Sequence, residues 1–246
     1  MLDSAFKIVE FDSILSTNDM TRSLVRKQEL DPFTVIMAQE QIAGKGQRGR
    51  KWVSEKGKNL LFSLFYKPES LKANEQFILT QLISVSIVEA LKKDIDHSNK
   101  KLSIKWPNDI YSGDRKLAGI LIENAILGDN IQYSIIGVGL NLNQEVFSDD
   151  LPNPISLYQL SEKIYDKKLV LQEIIEKFEL NRHLAHDFLK EKYAKCLFGL
   201  NEIRPFIIRG EKRNASIKGV DDIGTLILHF NQEKESFDHG SFEFLL

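Results

Sequence analysis

The chain has 246 residues, of which 42% are hydrophobic and 28% are charged, and its formal net charge is −2. This length suits one large domain or a domain with a small appendage, and the slightly acidic balance excludes a global electrostatic signature for nucleic-acid binding. A single cysteine, Cys196, excludes an intrachain disulfide and a zinc knuckle and is typical of a reducing compartment. No signal peptide or membrane-spanning apolar run is recognisable, so we expect a cytoplasmic protein without membrane contacts.

The first third of the sequence predicts short strands around one helix. Ser16, with Asp19 three residues later, is typical of a helix start, and Pro32 would end that helix. Apolar or alternating runs predict strands over residues 6–11, 34–39 and 59–66. The second of these strands leads directly into a loop that is rich in glycine and cations.

The remainder of the chain changes texture near residue 200. Before it, the patterns predict a helix over 77–91, a strand over 102–106, a hairpin from 119–127 and 131–142, and a long helix over 169–196. After it, they predict short strands over 203–208, 214–220, 225–230 and 241–246. We therefore expect an α+β fold with a mixed sheet and helices in residues 1–199 and a small β-barrel in residues 200–246.

The loop over residues 44–54, GKGQRGRKWVS, is called the glycine-basic loop below. Its glycines allow a close approach of the backbone to a ligand, and Lys45, Arg48, Arg50 and Lys51 supply charge for phosphates. A solvated surface loop is the alternative interpretation. Its G-x-G-x-x-G spacing matches the dinucleotide fingerprint, but no helical pattern or suitably placed acid follows, so a Rossmann site is excluded. A Walker A motif is excluded because no Gly-Lys-Ser/Thr follows.

Two further motifs combine strands with polar or small residues. In KWPND (residues 105–109), the proline and the following turn direct a carboxylate outward at a strand end, and Lys116 and Gly119 lie in the next strand. Gly137 and Gly139 interrupt an apolar strand, which indicates close approach of a ligand or of another backbone. The alternatives are a plain hairpin turn with a solvated lysine and a β-bulge.

Taken together and in this order, the motifs resemble those of the biotin protein ligases. They are Ser16-Thr17-Asn18, GKGQRGRKW, KWPNDI (105–110), KLAGILIE (116–123) and GVGLNLN (137–143). The resemblance implies a catalytic domain with the fold shared by class II aminoacyl-tRNA synthetases and biotin ligases, followed by an SH3-like C-terminal domain. It also implies an ATP-dependent ligase that forms biotinyl-5′-AMP and transfers biotin to a lysine of a biotin carboxyl carrier protein.

The resemblance also assigns roles to residues of this chain. The catalytic roles fall on Lys116, Asp109, Arg48, Arg50 and Lys105. Contacts to the substrates biotin and ATP fall on Ser16, Thr17, Asn18, Gln41, Gly44, Lys45, Gly46, Gln47, Trp52, Asn108, Lys116, Gly119, Gly137, Gly139 and Asn141. Mg²⁺ would be held mainly by the ATP phosphates. Three points stay open: Asp109 as base, orienter or metal ligand; Trp52 as ligand wall or loop anchor; and Ser16 as ligand contact or N-cap.

Two departures from the family pattern shape the expected function. Lys45 and Gln47 stand where common members carry arginine, so how tightly the site retains the adenylate intermediate stays open. The helix-turn-helix domain of repressor-type members does not precede the motifs, so we expect a ligase that binds no DNA; a homodimer is compatible with the sequence. The alternatives are a lipoate or octanoate ligase, and a nucleic-acid-binding module that uses the cations of the glycine-basic loop with Trp52 stacking.

Overall fold

The computed structural model describes residues 6–95, 101–230 and 233–245. Seven strands form a mixed sheet, and five later strands form a second, antiparallel sheet. Within the described ranges, no helix is long and apolar enough to cross a membrane. The predicted combination of a mixed sheet, helices and a small β region at the end is confirmed.

The first sheet carries the motifs. Its strands are β1 (Lys7–Ile14), β2 (Thr34–Gln41), β3 (Leu60–Tyr66), β4 (Leu102–Lys105), β5 (Asp109–Ser112), β6 (Arg115–Leu127) and β7 (Asn130–Leu140). They lie in the spatial order β1-β2-β3-β7-β6-β5-β4, with β1 parallel to β2 and the other pairs antiparallel. Every residue of β3 is buried, which explains its continuous apolar sequence; Ser63 is the polar exception.

Helices cover the sheet, and they differ from the predicted ones in two respects: the long last helix is divided, and the first helix ends earlier. They are α1 (Thr17–Arg26), α2 (Phe77–Ile95), α3 (Leu157–Ser161), α4 (Lys167–Asn181) and α5 (His186–Lys195). The predicted single helix over 169–196 is wrong, because the chain turns after α4, where the Leu184 amide donates to the Asn181 carbonyl at 3.1 Å. The Asn181 side chain also bonds to Ser86 and Glu89 on α2. Helix α1 ends before Pro32 is reached, so proline is not its terminator.

The second sheet consists of β8 (Ile203–Ile208), β9 (Glu211–Val220), β10 (Leu226–Phe230), β11 (Glu233–Phe237) and β12 (Phe242–Phe244), in the order β11-β10-β9-β8-β12. Strand β11 was not predicted because its sequence, EKESF, is mostly charged. The predicted last strand is shorter than expected, and residue 246 lies outside the described residues. The Trp106 indole stacks on Phe242 at 5.7 Å and donates to the Gly224 carbonyl at 2.9 Å. These contacts fasten the second sheet to the end of β4.

Candidate active site

A cavity of about 560 Å³ lies where the sequence motifs meet. It is lined by the start of α1, the glycine-basic loop, the β4–β5 turn, β6 and β7, and by residues of the second sheet. All of the predicted site residues line it except Gly44, which is buried behind Trp52. The fold therefore brings five separated motifs together in one place.

One end of the cavity is a cluster of hydrogen-bonded polar side chains, the polar floor, formed by Thr17, Asn18, Gln41 and Ser63. The Thr17 amide and hydroxyl both donate to Gln41 Oε1, at 2.8 and 3.0 Å. The Ser63 hydroxyl lies 2.7 Å from Thr17 Oγ1 and 2.6 Å from Asn18 Oδ1. Because Gln41 Oε1 is already occupied, Gln41 has its Nε2 group as the donor for a ligand.

Ser16 and Asn18 complete this end. Ser16 is buried and stands at the N-cap position of α1, yet its side chain makes no capping hydrogen bond. Capping is therefore not the role of its hydroxyl. Asn18 Nδ2 donates to Glu123 at 2.8 Å and to the Leu121 carbonyl at 3.3 Å. Since both Asn18 N–H groups face protein acceptors, the group that Asn18 retains for a further contact is its amide oxygen, which accepts from Ser63 and has a second lone pair.

The other end of the cavity holds an ion pair between neighbouring strands. Lys116 Nζ lies 2.7 Å from Asp109 Oδ1. The backbone of Lys116 is fixed by the Asn153 carbonyl and the Ile155 amide, at 2.8 and 2.9 Å. The Asn141 amide donates to the carbonyls of Ile155 and Lys116, at 3.1 and 3.3 Å. The geometry therefore places Asn141 as a support for Lys116.

Asn108 and Lys105 occupy the β4–β5 turn. Asn108 Nδ2 donates to the Ile120 carbonyl at 2.6 Å, and the Ile120 amide donates back to the Asn108 carbonyl, so Asn108 ties the turn to β6. The Lys105 amine lies 5.1 Å from the centre of the Tyr111 ring and 4.6 Å from that of Phe244. Burial, reinforced by nearby cations, lowers the pKa of Lys105.

The glycines of β6 and β7 accommodate protein side chains. A Cβ on Gly139 would lie 2.4 Å from Trp52 Cε2, and one on Gly119 would lie 3.0 Å from Trp52 Cζ3. A Cβ on Gly137 would lie 2.2 Å from Asn18 Oδ1. The pairing of β7 with β3 and β6 is regular here, so the β-bulge alternative is wrong. The Trp52 Nε1 atom is buried without a hydrogen-bond partner among the described residues.

The glycine-basic loop crosses the cavity with its cations at the surface. Lys45 Nζ pairs with Asp19 at 2.6 Å, whereas the Arg48 guanidinium donates to the carbonyl of His239 in the second sheet. Arg48 has a φ of 55°, in the left-handed region, within a single short 3₁₀ turn. No α-helix follows the glycines, in agreement with the exclusion of a Rossmann site.

Residues in or behind the cavity wall that were not predicted include Ser63, Glu123, His239 and Phe244. Ser63 was detectable as the one small polar residue in the apolar strand β3. His239 lies in the turn between β11 and β12, and Phe244 lies in β12. No local pattern indicates that this part of the chain reaches the cavity. Burial and the neighbouring Arg48 lower the pKa of His239.

Comparisons with known proteins agree with this arrangement. The sequence model of the biotin/lipoate A/B protein ligase family matches residues 10–141. The bifunctional ligase/repressor BirA of Bacillus spizizenii is 31% identical over 231 residues, covering 89% of this chain and 68% of that protein. The human biotin–protein ligase is 29% identical over 213 residues, covering 79% of this chain and 28% of that protein.

Solved structures show the fold class. The biotin protein ligase from Aquifex aeolicus, in complex with biotin and ATP, superposes with a TM-score of 0.76 at 24% identity, covering 96% of this chain and 97% of that chain. The fold is thus that of the biotin ligases. With the family match and the BirA relative, the chain belongs to the biotin/lipoate A/B protein ligase family.

Proposed function

We propose that the protein is a biotin protein ligase that activates biotin with ATP as biotinyl-5′-AMP and transfers biotin to a lysine of a biotin carboxyl carrier protein. The observation that carries this proposal is the polar floor at one end of a cavity whose other end holds Lys116 and Asp109. A ureido group has N–H donors and a carbonyl acceptor to satisfy buried polar groups. The dithiolane of lipoate offers no partner to the Gln41 Nε2 group or the Ser16 hydroxyl, and a polar site penalises such a loss strongly.

The chemistry fits the charges at the cavity. In the first step the biotin carboxylate attacks the α-phosphorus of ATP and pyrophosphate leaves, so two anions must approach each other. Lys116, Arg48, Arg50 and Lys105 line the cavity and supply positive charge for that approach. In the second step the acceptor amine attacks the carbonyl carbon and AMP leaves. We assign Asp109 to orienting Lys116, with which it is paired at 2.7 Å.

Mg²⁺ enters this proposal as the ion carried by the ATP phosphates. Within the part of the chain that the structure describes, no group of three or more His, Cys, Asp or Glu side chains could hold a metal. Mg²⁺ is commonly bound through substrate phosphates and few protein ligands, so the residues at the cavity are compatible with it. Its role would be to neutralise phosphate charge during the first step.

The domain arrangement also remains a proposal. We assign residues 1–199 to the catalytic domain and residues 200–246 to a C-terminal SH3-like domain. The start of the second sheet at Ile203 supports this boundary, and the five short antiparallel strands support the assignment to a small barrel.

The test is ATP–pyrophosphate exchange measured with biotin, lipoate or octanoate as the acid. We expect exchange that depends on biotin, followed by labelling of a biotin carboxyl carrier domain at its lysine. Exchange with lipoate or octanoate and none with biotin would assign the protein to the other branch of its family. Salt-sensitive RNA binding without any exchange would favour the nucleic-acid-binding alternative.

A further inference from the structure

A chain of charged side chains runs behind the polar floor and ends on the glycine-basic loop. Asn18 Nδ2 donates to Glu123 Oε2 at 2.8 Å, and the other Glu123 oxygen accepts from Arg22 Nη2. Arg22 Nη1 donates to Asp19 Oδ1 at 2.8 Å, and Asp19 Oδ2 pairs with Lys45 Nζ at 2.6 Å. One guanidinium therefore connects the polar floor to the glycine-basic loop.

This charge chain differs from an ordinary surface ion pair. Exposed pairs contribute little because water competes for both partners. Here the side chains of Arg22, Asp19 and Glu123 are 27%, 30% and 35% exposed, and each carboxylate divides its two oxygens between different partners. Burial opposes ionisation of Asp19, but hydrogen bonds from Lys45 and Arg22 outweigh it and lower the pKa of Asp19. The chain ends on Asn18, which is only 3% exposed.

The fold dictates the position of Arg22. It follows Asp19 by three residues on α1, so the two side chains share one face of the helix. Glu123 lies two residues after Leu121 on β6, on the same face of the strand, and Leu121 lines the cavity. Arg22 therefore stands between a helix face and a strand face, outside the cavity lining.

We propose that Arg22 is a positioning residue for biotin binding. By holding Glu123, it fixes the Asn18 amide with both N–H groups turned to the protein and the oxygen left as an acceptor. By holding Asp19, it supports the contact of Lys45 and thus the start of the glycine-basic loop. The inference rests on the proposed function. Removing the guanidinium frees one oxygen on each carboxylate and leaves the Lys116–Asp109 pair unchanged, so biotin affinity falls while the rate at saturation does not.

The experiment compares wild type, Arg22→Met, Arg22→Lys and Glu123→Gln. We measure KM for biotin and kcat in pyrophosphate exchange, biotin Kd by calorimetry, and thermal unfolding. Arg22→Met raises KM and Kd for biotin about tenfold with kcat within about twofold, because Glu123, which holds the nearly buried Asn18 amide, loses its charge-assisted bond to Arg22. Arg22→Lys gives a smaller increase in the biotin KM, because the ammonium keeps the positive charge. An increase remains because one ammonium cannot bridge the two carboxylates as the planar guanidinium does.

The matched control is Arg182→Met. Arg182 is 25% exposed and bonds through two nitrogens to Glu179, so its loss reports the general cost of removing a half-buried arginine, here at the C-cap of α4. We expect it to leave KM for biotin unchanged. A double variant, Arg22→Met with Glu123→Gln, should raise KM by less than the product of the single effects, because both changes act on Asn18.

Several outcomes would overturn the inference. They are a biotin KM within twofold of wild type in Arg22→Met, a loss confined to kcat, and an equal KM increase in Arg182→Met. If Arg22→Met does not fold, Arg22→Lys and Glu123→Gln carry the test, and an unchanged biotin Kd in both refutes the inference. Absence of biotin-dependent exchange in the wild type refutes the proposed function instead, so the two failures are distinguishable.

Discussion

The two sides of the cavity are built differently. The polar floor and the Lys116–Asp109 pair lie on strands and a helix start, and each of their side chains is tied to other elements. The glycine-basic loop exposes Lys45, Arg48 and Arg50; it contacts the rest of the molecule through Lys45 on Asp19, through Arg48 on the His239 carbonyl, and through the Trp52 indole on β6 and β7. Under the proposed function, the polar groups for the small ligand thus lie on the sheet and a helix start, whereas the exposed cations for the nucleotide lie on a loop.

The largest expected effect is a loss of activity without a loss of stability, at the Lys116–Asp109 pair. Replacing Lys116 by alanine should lower biotin-dependent pyrophosphate exchange by at least about 100-fold, because a positioned cation that meets developing phosphate charge is lost. Thermal unfolding should change little, since the Lys116 amine pairs with a partly exposed Asp109 and lies 5.7 Å from the centre of the Trp52 ring, both at the cavity. Exchange close to wild type would refute the catalytic role of Lys116.

The next effect contrasts two glycines of the same strand. In Gly137→Ala the new methyl group would displace the Asn18 oxygen, which is buried and hydrogen-bonded to Ser63. We expect a loss of about 1–3 kcal/mol in the free energy of unfolding and a biotin KM raised about tenfold. In Gly139→Ala the methyl group would meet the Trp52 indole, which the glycine-basic loop can carry away. We expect a stability loss below about 1 kcal/mol and a raised KM for ATP.

Urea unfolding and exchange kinetics measure both glycine variants. Gly46→Ala serves as the control inside the loop, because a Cβ there meets no atom closer than 3.4 Å. Equal stability losses in Gly137→Ala and Gly139→Ala would show that the loop is held as firmly as the floor. That outcome would remove the contrast between the two sides of the cavity.

The sequence predicted the strands that carry the polar floor and the Lys116–Asp109 pair better than it predicted which side chains meet there. Apolar runs in the sequence predict the strands of the first sheet, and local motifs such as KWPND contain the residues that form their turn. Asn141 and Asn108 were expected to contact substrate, but their side-chain amides bond to backbone carbonyls from distant or facing segments. Gly137 and Gly139 were taken to mark close approach of a ligand or of another backbone, whereas the groups that approach them in the structure are the side chains of Asn18 and Trp52. Such assignments depend on which strands become neighbours, and no local pattern encodes that.

The role of the second sheet illustrates the same limit. His239 and Phe244 enter the cavity from a region that lies more than 90 residues after the last recognised motif. Their contacts to Arg48 and Lys105 are long-range and involve a backbone carbonyl and an aromatic ring. Neither group has a chemical signature in the sequence, whereas Ser63 stood out because it is polar in a buried strand.

A smaller expected effect concerns ligand protection of the glycine-basic loop. Trypsin should cleave after the exposed residues Lys45, Arg48, Arg50 or Lys51 in the free protein. Biotin with ATP should slow this cleavage about fivefold or more, because ordering of a segment by a bound phosphate is a common response. Mass spectrometry of the fragments over time gives the rate at each bond. Equal rates with and without the ligands would show that the loop does not close on them.

The smallest expected effect is a pH dependence of stability through His239. Burial and Arg48, with Arg50 and Lys105, lower its pKa below the ordinary value of 6.5, and Asp109 opposes this shift. Between the lowered pKa and 6.5 the unfolded chain binds more protons than the folded one, so the free energy of unfolding rises with pH in that window and is level above it. His239→Gln should remove this part of the pH dependence in urea unfolding.

The same histidine reports whether the loop and the second sheet stay together in solution. Burial lowers its pKa, and Arg48 and the other cations lower it further while they remain beside it. The ring-proton signal of His239, followed by NMR from pH 5 to 8, should therefore give a midpoint below 6.5 in the wild type and a higher one in Arg48→Ala. A wild-type midpoint at 6.5 would mean that the glycine-basic loop is separated from His239 in the free protein. The cations would then reach the cavity only when biotin and ATP bind.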